Sequence, residues 1–174
     1  MSSAIGFFAV GLFFAVLQFC YFFLLECQLS SAWNSYAAVT LAWMTGILAG
    51  LMLPLRDGRV RRHLWLLNIP CYYGVWLGLR AFPFNGRLLP AYVLLVSGSG
   101  LYAGHFFRTS FARTRDARSL LLHENNGFVT GLLVGLLGFA ANARLFLLLA
   151  PALCLFLLAC LTTCVRAEAQ TESP

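Results

Sequence analysis

An all-α integral membrane protein with six transmembrane helices is what this chain predicts, on three grounds. Hydrophobic residues make up 60% of its 174 positions and charged residues only 10%, with a mean hydropathy of +0.80; such a chain exceeds what a soluble domain can hide from water. Apolar runs of about 20 residues, the length that crosses a hydrocarbon core of about 30 Å, recur along it. The basic residues, all arginine, fall unevenly between these runs. Arg56, Arg59, Arg61, Arg62, Arg108, Arg113, Arg115, Arg118 and Arg166 lie on one side, and Arg80, Arg87 and Arg144 on the other. The positive-inside rule then puts both termini in the cytoplasm, in a bacterial inner membrane. The formal charge of +6 belongs to these connections, where arginine meets anionic headgroups, and implies no nucleic-acid partner.

The first helix, residues 5–25, is interrupted only by Gln18. Lacking a basic leader and a small-residue cleavage site, it reads as a retained span. Residues 26–35 are polar and free of arginine. The second helix, residues 36–55, carries Gly46 and Gly50 one turn apart and ends at Pro54. A basic loop with Arg59, Arg61 and Arg62 follows. The third helix, residues 63–79, has Pro70 in its middle beside Asn68, predicting a kink and a local polar contact for the carbonyl that proline leaves unpaired. Gly74 and Gly78 repeat the close-packing spacing. After a turn at 80–87, the fourth helix spans 88–107, with Gly100 and Gly104 four apart and His105 near its end. A second basic loop, 108–118, includes Arg113 and Arg115. The fifth helix places Gly127, Gly131 and Gly135 on one face, where a neighbouring backbone can approach closely. The sixth, residues 145–165, has Pro151 in its first turns. Residues 1–165 thus form the membrane domain and 166–174 a polar, disordered tail. The six cysteines form no C-x-x-C pair and read as small buried hydrophobes, with no metal site.

Residues 44–52 match residues 129–137 at five of nine positions, an offset of 85 that is close to half the chain. The shift superposes the second helix on the fifth, the first on the fourth and the third on the sixth. With three helices per copy, the second copy enters the membrane inverted.

His123, Glu124, Asn125 and Asn126 form the main polar cluster. Residues 127–141 alone are about 22 Å long, so the fifth helix must begin further back, near Leu120, drawing the cluster towards the membrane. Two readings follow. Ionisable groups inside a membrane mark pathways or partner contacts; alternatively Asn125 or Asn126 caps the helix at the headgroups while Glu124 complements its dipole. No cofactor is required, although His105 and His123, both near the cytoplasmic face, could serve as axial ligands of a haem b.

A first helix ending in Glu26, a polar loop with Ser30 and Ser31, a glycine-paired helix and a basic turn at 56–62 together resemble the membrane part of membrane-bound spermidine synthase-like proteins. Glu124-Asn125-Asn126-Gly127 followed by Gly131 resembles that family's polar, glycine-spaced stretch, with Glu124 where the pattern has Asn. The resemblance implies a membrane fold similar to half of a major-facilitator transporter, in line with the inverted repeat. The catalytic aminopropyltransferase part is not expected, because no strand leads into a glycine-rich turn with a downstream acidic residue.

The function expected is therefore that of a non-catalytic membrane subunit, packed through its glycines and docking a protein partner through Glu26, Arg59, Arg61, Arg62, Arg113 and Arg115. The alternatives are a half-size transporter acting as a homodimer, with a site near Asn68 and the His123 to Asn126 cluster, and a redox subunit binding haem or quinone.

Overall fold

The computed structural model describes residues 3–29, 32–53, 63–114 and 116–171. Every regular element among them is helical. In chain order these are α1 (Ser3–Leu29), α2 (Ala32–Met52), a 3-10 turn (Leu64–Leu67) leading into α3 (Asn68–Ala81), a second 3-10 turn (Gly86–Leu88), α4 (Leu89–Thr114) and α5 (Ala117–Thr171). The basic loop at 56–62, with Arg59, Arg61 and Arg62, lies outside the described residues, as do Ser30, Ser31 and Arg115.

Among the described residues three helices are long and apolar enough to cross a membrane: Ala4–Leu29, Trp33–Met52 and Ala117–Leu161. The six spans expected from the sequence are thus met only in part: the fifth and sixth segments run as one helix broken at Asn142, and two others fall short for local reasons. The α-helical part of the third segment is 14 residues, about 21 Å at about 1.5 Å per residue. The 26 residues of α4 are long enough, but Ser97, Ser99 and His105 dilute their apolar character.

Pro70 does not kink the middle of a helix. The α-helix starts at Asn68, so Pro70 sits in its first turn, where a missing N–H removes no intrahelical bond. The irregularity moves to the preceding 3-10 turn, where the Asn68 side-chain amide donates to the Trp65 carbonyl at 2.8 Å.

Asn142 divides α5. Its backbone leaves the helix at φ −160°, ψ 90°, and its side-chain oxygen accepts from Leu145 N at 3.0 Å, the bond of an N-cap starting a new helix. Helix continues to Thr171, past the start of the tail expected at 166.

The chain divides into two compact units. One comprises Met1–Cys20 with Thr114–Pro174, the other Tyr21–Arg113. In the first, the α1 segment contributes buried Phe13, Phe14, Val16 and Leu17, and α5 contributes Leu120, Leu155 and Leu158. Phe19 meets Phe139 and Phe146 edge-on at 5.9 and 6.1 Å, joining the two arms of α5 either side of Asn142 through one ring. In the second unit, the end of α1 contributes buried Tyr21, Leu24 and Leu25 to α2, α3 and α4. Tyr21 stacks edge-on against Tyr72 at 5.3 Å.

Candidate functional site

The close approaches expected of the glycines fall within each unit. In the second, a Cβ at Gly46 would press on the Ser97 carbonyl and lie 2.9 Å from Gly100 Cα, and one at Gly50 would lie 3.1 Å from Gly104 Cα. The relation is reciprocal: Gly100 faces the Trp43 carbonyl and Gly104 that of Ile47. Because real Cβ atoms do not approach backbone this closely, α2 and α4 meet here only through glycine. Gly74 and Gly78 have a different role, making room for the side chains of Leu95 and Tyr92.

In the first unit, a Cβ at Gly127 would meet the Phe8 carbonyl and lie 3.0 Å from Leu12 N. At Gly131 it would lie 2.6 Å from Leu12 O and 2.7 Å from Ala15 Cβ, and at Gly135 2.9 Å from the Phe19 ring. Gly11 supplies the reverse contact, facing the Glu124 carbonyl. Gly11 has no glycine four residues away in α1, so spacing does not reveal it; the one signal in the sequence is a glycine inside a phenylalanine-rich span.

The polar cluster lies inside α5 and does not cap it. Asp116 occupies the capping position, accepting from Ser119 N at 3.1 Å, so the helix starts two turns before Asn125 and Asn126 and the capping alternative gives way. Only Glu124 of the four turns inward, at 6% exposure; His123 is half-buried, and Asn125 and Asn126 are exposed. Glu124 follows the buried face of Leu120, Gly127, Gly131 and Gly135, where α1 backs against it.

Asn68 and His105 belong to the second unit, and both are buried. Asn68 holds Trp65 through its amide nitrogen, while its Oδ1 has no partner among the described residues. Nearby on α3, Cys71 packs against α4, its sulfur 2.7 Å from where a Gly98 Cβ would stand, next to Ser99, which hydrogen-bonds the Tyr21 hydroxyl at 2.8 Å. This buried Tyr21–Ser99–Cys71 set links α1, α4 and α3. The sequence reading passed over it, since single hydroxyls and a thiol in apolar helices give no spacing pattern. His105 and His123, the pair considered for haem, lie in different units.

Among the candidate docking residues, Glu26 is half-buried near the end of α1 and Arg113 is exposed near the end of α4. Arg108, not singled out from the sequence, reaches from α4 to the Leu53 carbonyl at 2.9 Å, closing the end of α2 with a cation. Among the described residues no group of three or more His, Cys, Asp or Glu side chains is placed to hold a metal ion. Comparison with protein-family models, curated proteins and solved structures finds no match.

Proposed function

We propose that the chain is a six-span, non-catalytic membrane subunit, built from two three-helix copies, that anchors or organises a protein partner. The observation that carries this reading is the glycine-sealed packing of α2 on α4 and of α1 on α5. Backbones in contact along a helix pair suit a rigid scaffold.

The same contacts support the two-copy architecture, because a shift of 85 residues converts one set into the other. Gly46 meets Ser97 and Gly100; Gly131 meets Leu12 and Ala15. Gly50 lies against Gly104, and Gly135 against Phe19. Thr45 bonds the Leu41 carbonyl at 2.7 Å, and Thr130 the Asn126 carbonyl at 2.8 Å. Buried Ser35, Val39, Ala42, Gly46 and Gly50 correspond to buried Leu120, Glu124, Gly127, Gly131 and Gly135. Chance similarity between apolar helices gives no reason for burial and partners to agree residue by residue. On this reading α3 and α4 are spans, and α5 is two spans joined at Asn142. An odd number of spans per copy inverts the second copy. The architecture fits the likeness to the membrane part of spermidine synthase-like proteins and to half of a major-facilitator transporter.

A half-size transporter is the second reading. Buried Glu124 and the Asn68 Oδ1, which has no partner among the described residues, favour it, since polar groups at membrane depth often serve transport. Native mass spectrometry of the protein extracted from its own membrane in mild detergent separates the two. The subunit reading expects other chains in fixed ratio; a lone monomer or homodimer overturns it and favours transport.

A further inference from the structure

One end of the second unit carries aromatic residues that its packing does not use. Trp33 is 77% exposed at the start of α2, and Phe82 and Phe84, in the turn between α3 and α4, are 57% and 69% exposed. The turn is fastened to the end of α1, for Phe84 N donates to the Gln28 carbonyl at 3.1 Å. Trp33 follows Gln28 by five residues, so the three rings gather at this end. Phe84 has φ 60°, the one positive value at a non-glycine position among the described residues, a conformation that glycine adopts more readily than any L side chain. A large apolar ring in that backbone, facing outward, calls for something to receive it.

Charge and continuity identify the occupant. Exposed Arg80 and Arg87 flank the turn, with the Arg80 guanidinium 4.8 Å over the Trp76 ring. Below them the surface continues through exposed Leu77 and Leu94. Exposed leucine, arginine, tryptophan and phenylalanine side chains gathered at one helix end suit a membrane interface, where aromatic rings sit at headgroup level and arginine meets phosphate. We infer that the α3–α4 turn and the start of α2 form an interfacial anchor, seated among phospholipid headgroups on the arginine-poor side, with Phe84 inserted at the glycerol level. This rests on the membrane reading above.

Photocrosslinking of the full-length chain in its native membrane tests it. Phe84→p-benzoylphenylalanine places a C–H-reactive ketone in the turn, and Leu133→p-benzoylphenylalanine places one on the exposed apolar face of α5. The expected result is a phospholipid adduct by intact mass at both positions. A lipid adduct at 133 with a protein adduct, or none, at 84 overturns the anchor and leaves the membrane reading standing. Absence of lipid adducts at both positions overturns the membrane reading and the anchor with it.

Discussion

At the residue scale, glycines that look alike in the sequence divide by what lies opposite them. Gly100 faces the Trp43 carbonyl and Gly46 Cα, whereas Gly6 has nothing within 4 Å. Gly100→Ala should therefore destabilise the protein by about 1–3 kcal/mol through overpacking against backbone that cannot yield. Gly6→Ala, relieved of glycine's entropy in a helix, should gain about 0.5–1 kcal/mol; thermal unfolding of both variants in detergent checks the contrast. Phe84→Gly should likewise gain about 1 kcal/mol in detergent by easing its φ of 60°, read from the same melts. The Tyr21–Ser99 bond links groups that are both fully buried. A double-mutant cycle with Tyr21→Phe and Ser99→Ala should give a coupling of about 0.6–1.7 kcal/mol, the range of hydrogen bonds between membrane helices. Glycine spacing was legible in the sequence because close packing repeats every four residues. The Tyr21–Ser99–Cys71 set was not, because it joins residues distant along the chain and depends on how three helices meet.

At the element scale, apolar run length predicts where helices lie better than how they begin. The sequence put the start of the fifth helix near Leu120 and left Asn125 or Asn126 as possible caps; Asp116 takes that role. The apolar signal begins at Leu120, but a polar first turn can precede it whenever a capping side chain is available. Pro70 shows the converse error. Proline reads as a kink only when helix is assumed on both sides, and here a 3-10 turn occupies the preceding side. Asn142 is the cap that matters most, since it separates the two arms of α5. Asn142→Ala should cost about 1 kcal/mol, measured as a lower unfolding midpoint, because Leu145 N would lose its acceptor. An unchanged midpoint would mean that the Phe19, Phe139 and Phe146 contacts alone hold the bend.

At the scale of the whole molecule, the number of crossings decides between architectures. Among the described residues three helices, α1, α2 and α5, satisfy length and apolarity outright, while the two-copy reading requires α3 and α4 to cross as well and α5 to cross twice. These cannot be told apart by hydropathy, because α4 trades apolar bulk for the small residues that let it touch α2 through Gly100 and Gly104. Packing requirements and membrane insertion thus compete within one segment. Two positions separate the alternatives. Gly86 has open space around a Cβ and Arg144 is exposed beside the Asn142 break, so Gly86→Cys and Arg144→Cys should fold in a chain whose six native cysteines are replaced by alanine. If six segments cross, a membrane-impermeant maleimide added to intact cells labels both positions. If α3 and α4 stay on the cytoplasmic side, Gly86→Cys is labelled only after permeabilisation. If α5 crosses once as a single rod, its candidate span of 45 residues would extend about 68 Å at about 1.5 Å per residue, more than twice the hydrocarbon core of about 30 Å. On the two-copy reading the break at Asn142 would remove that mismatch by returning the second arm through the membrane, and external labelling of Arg144→Cys is the outcome that reading expects.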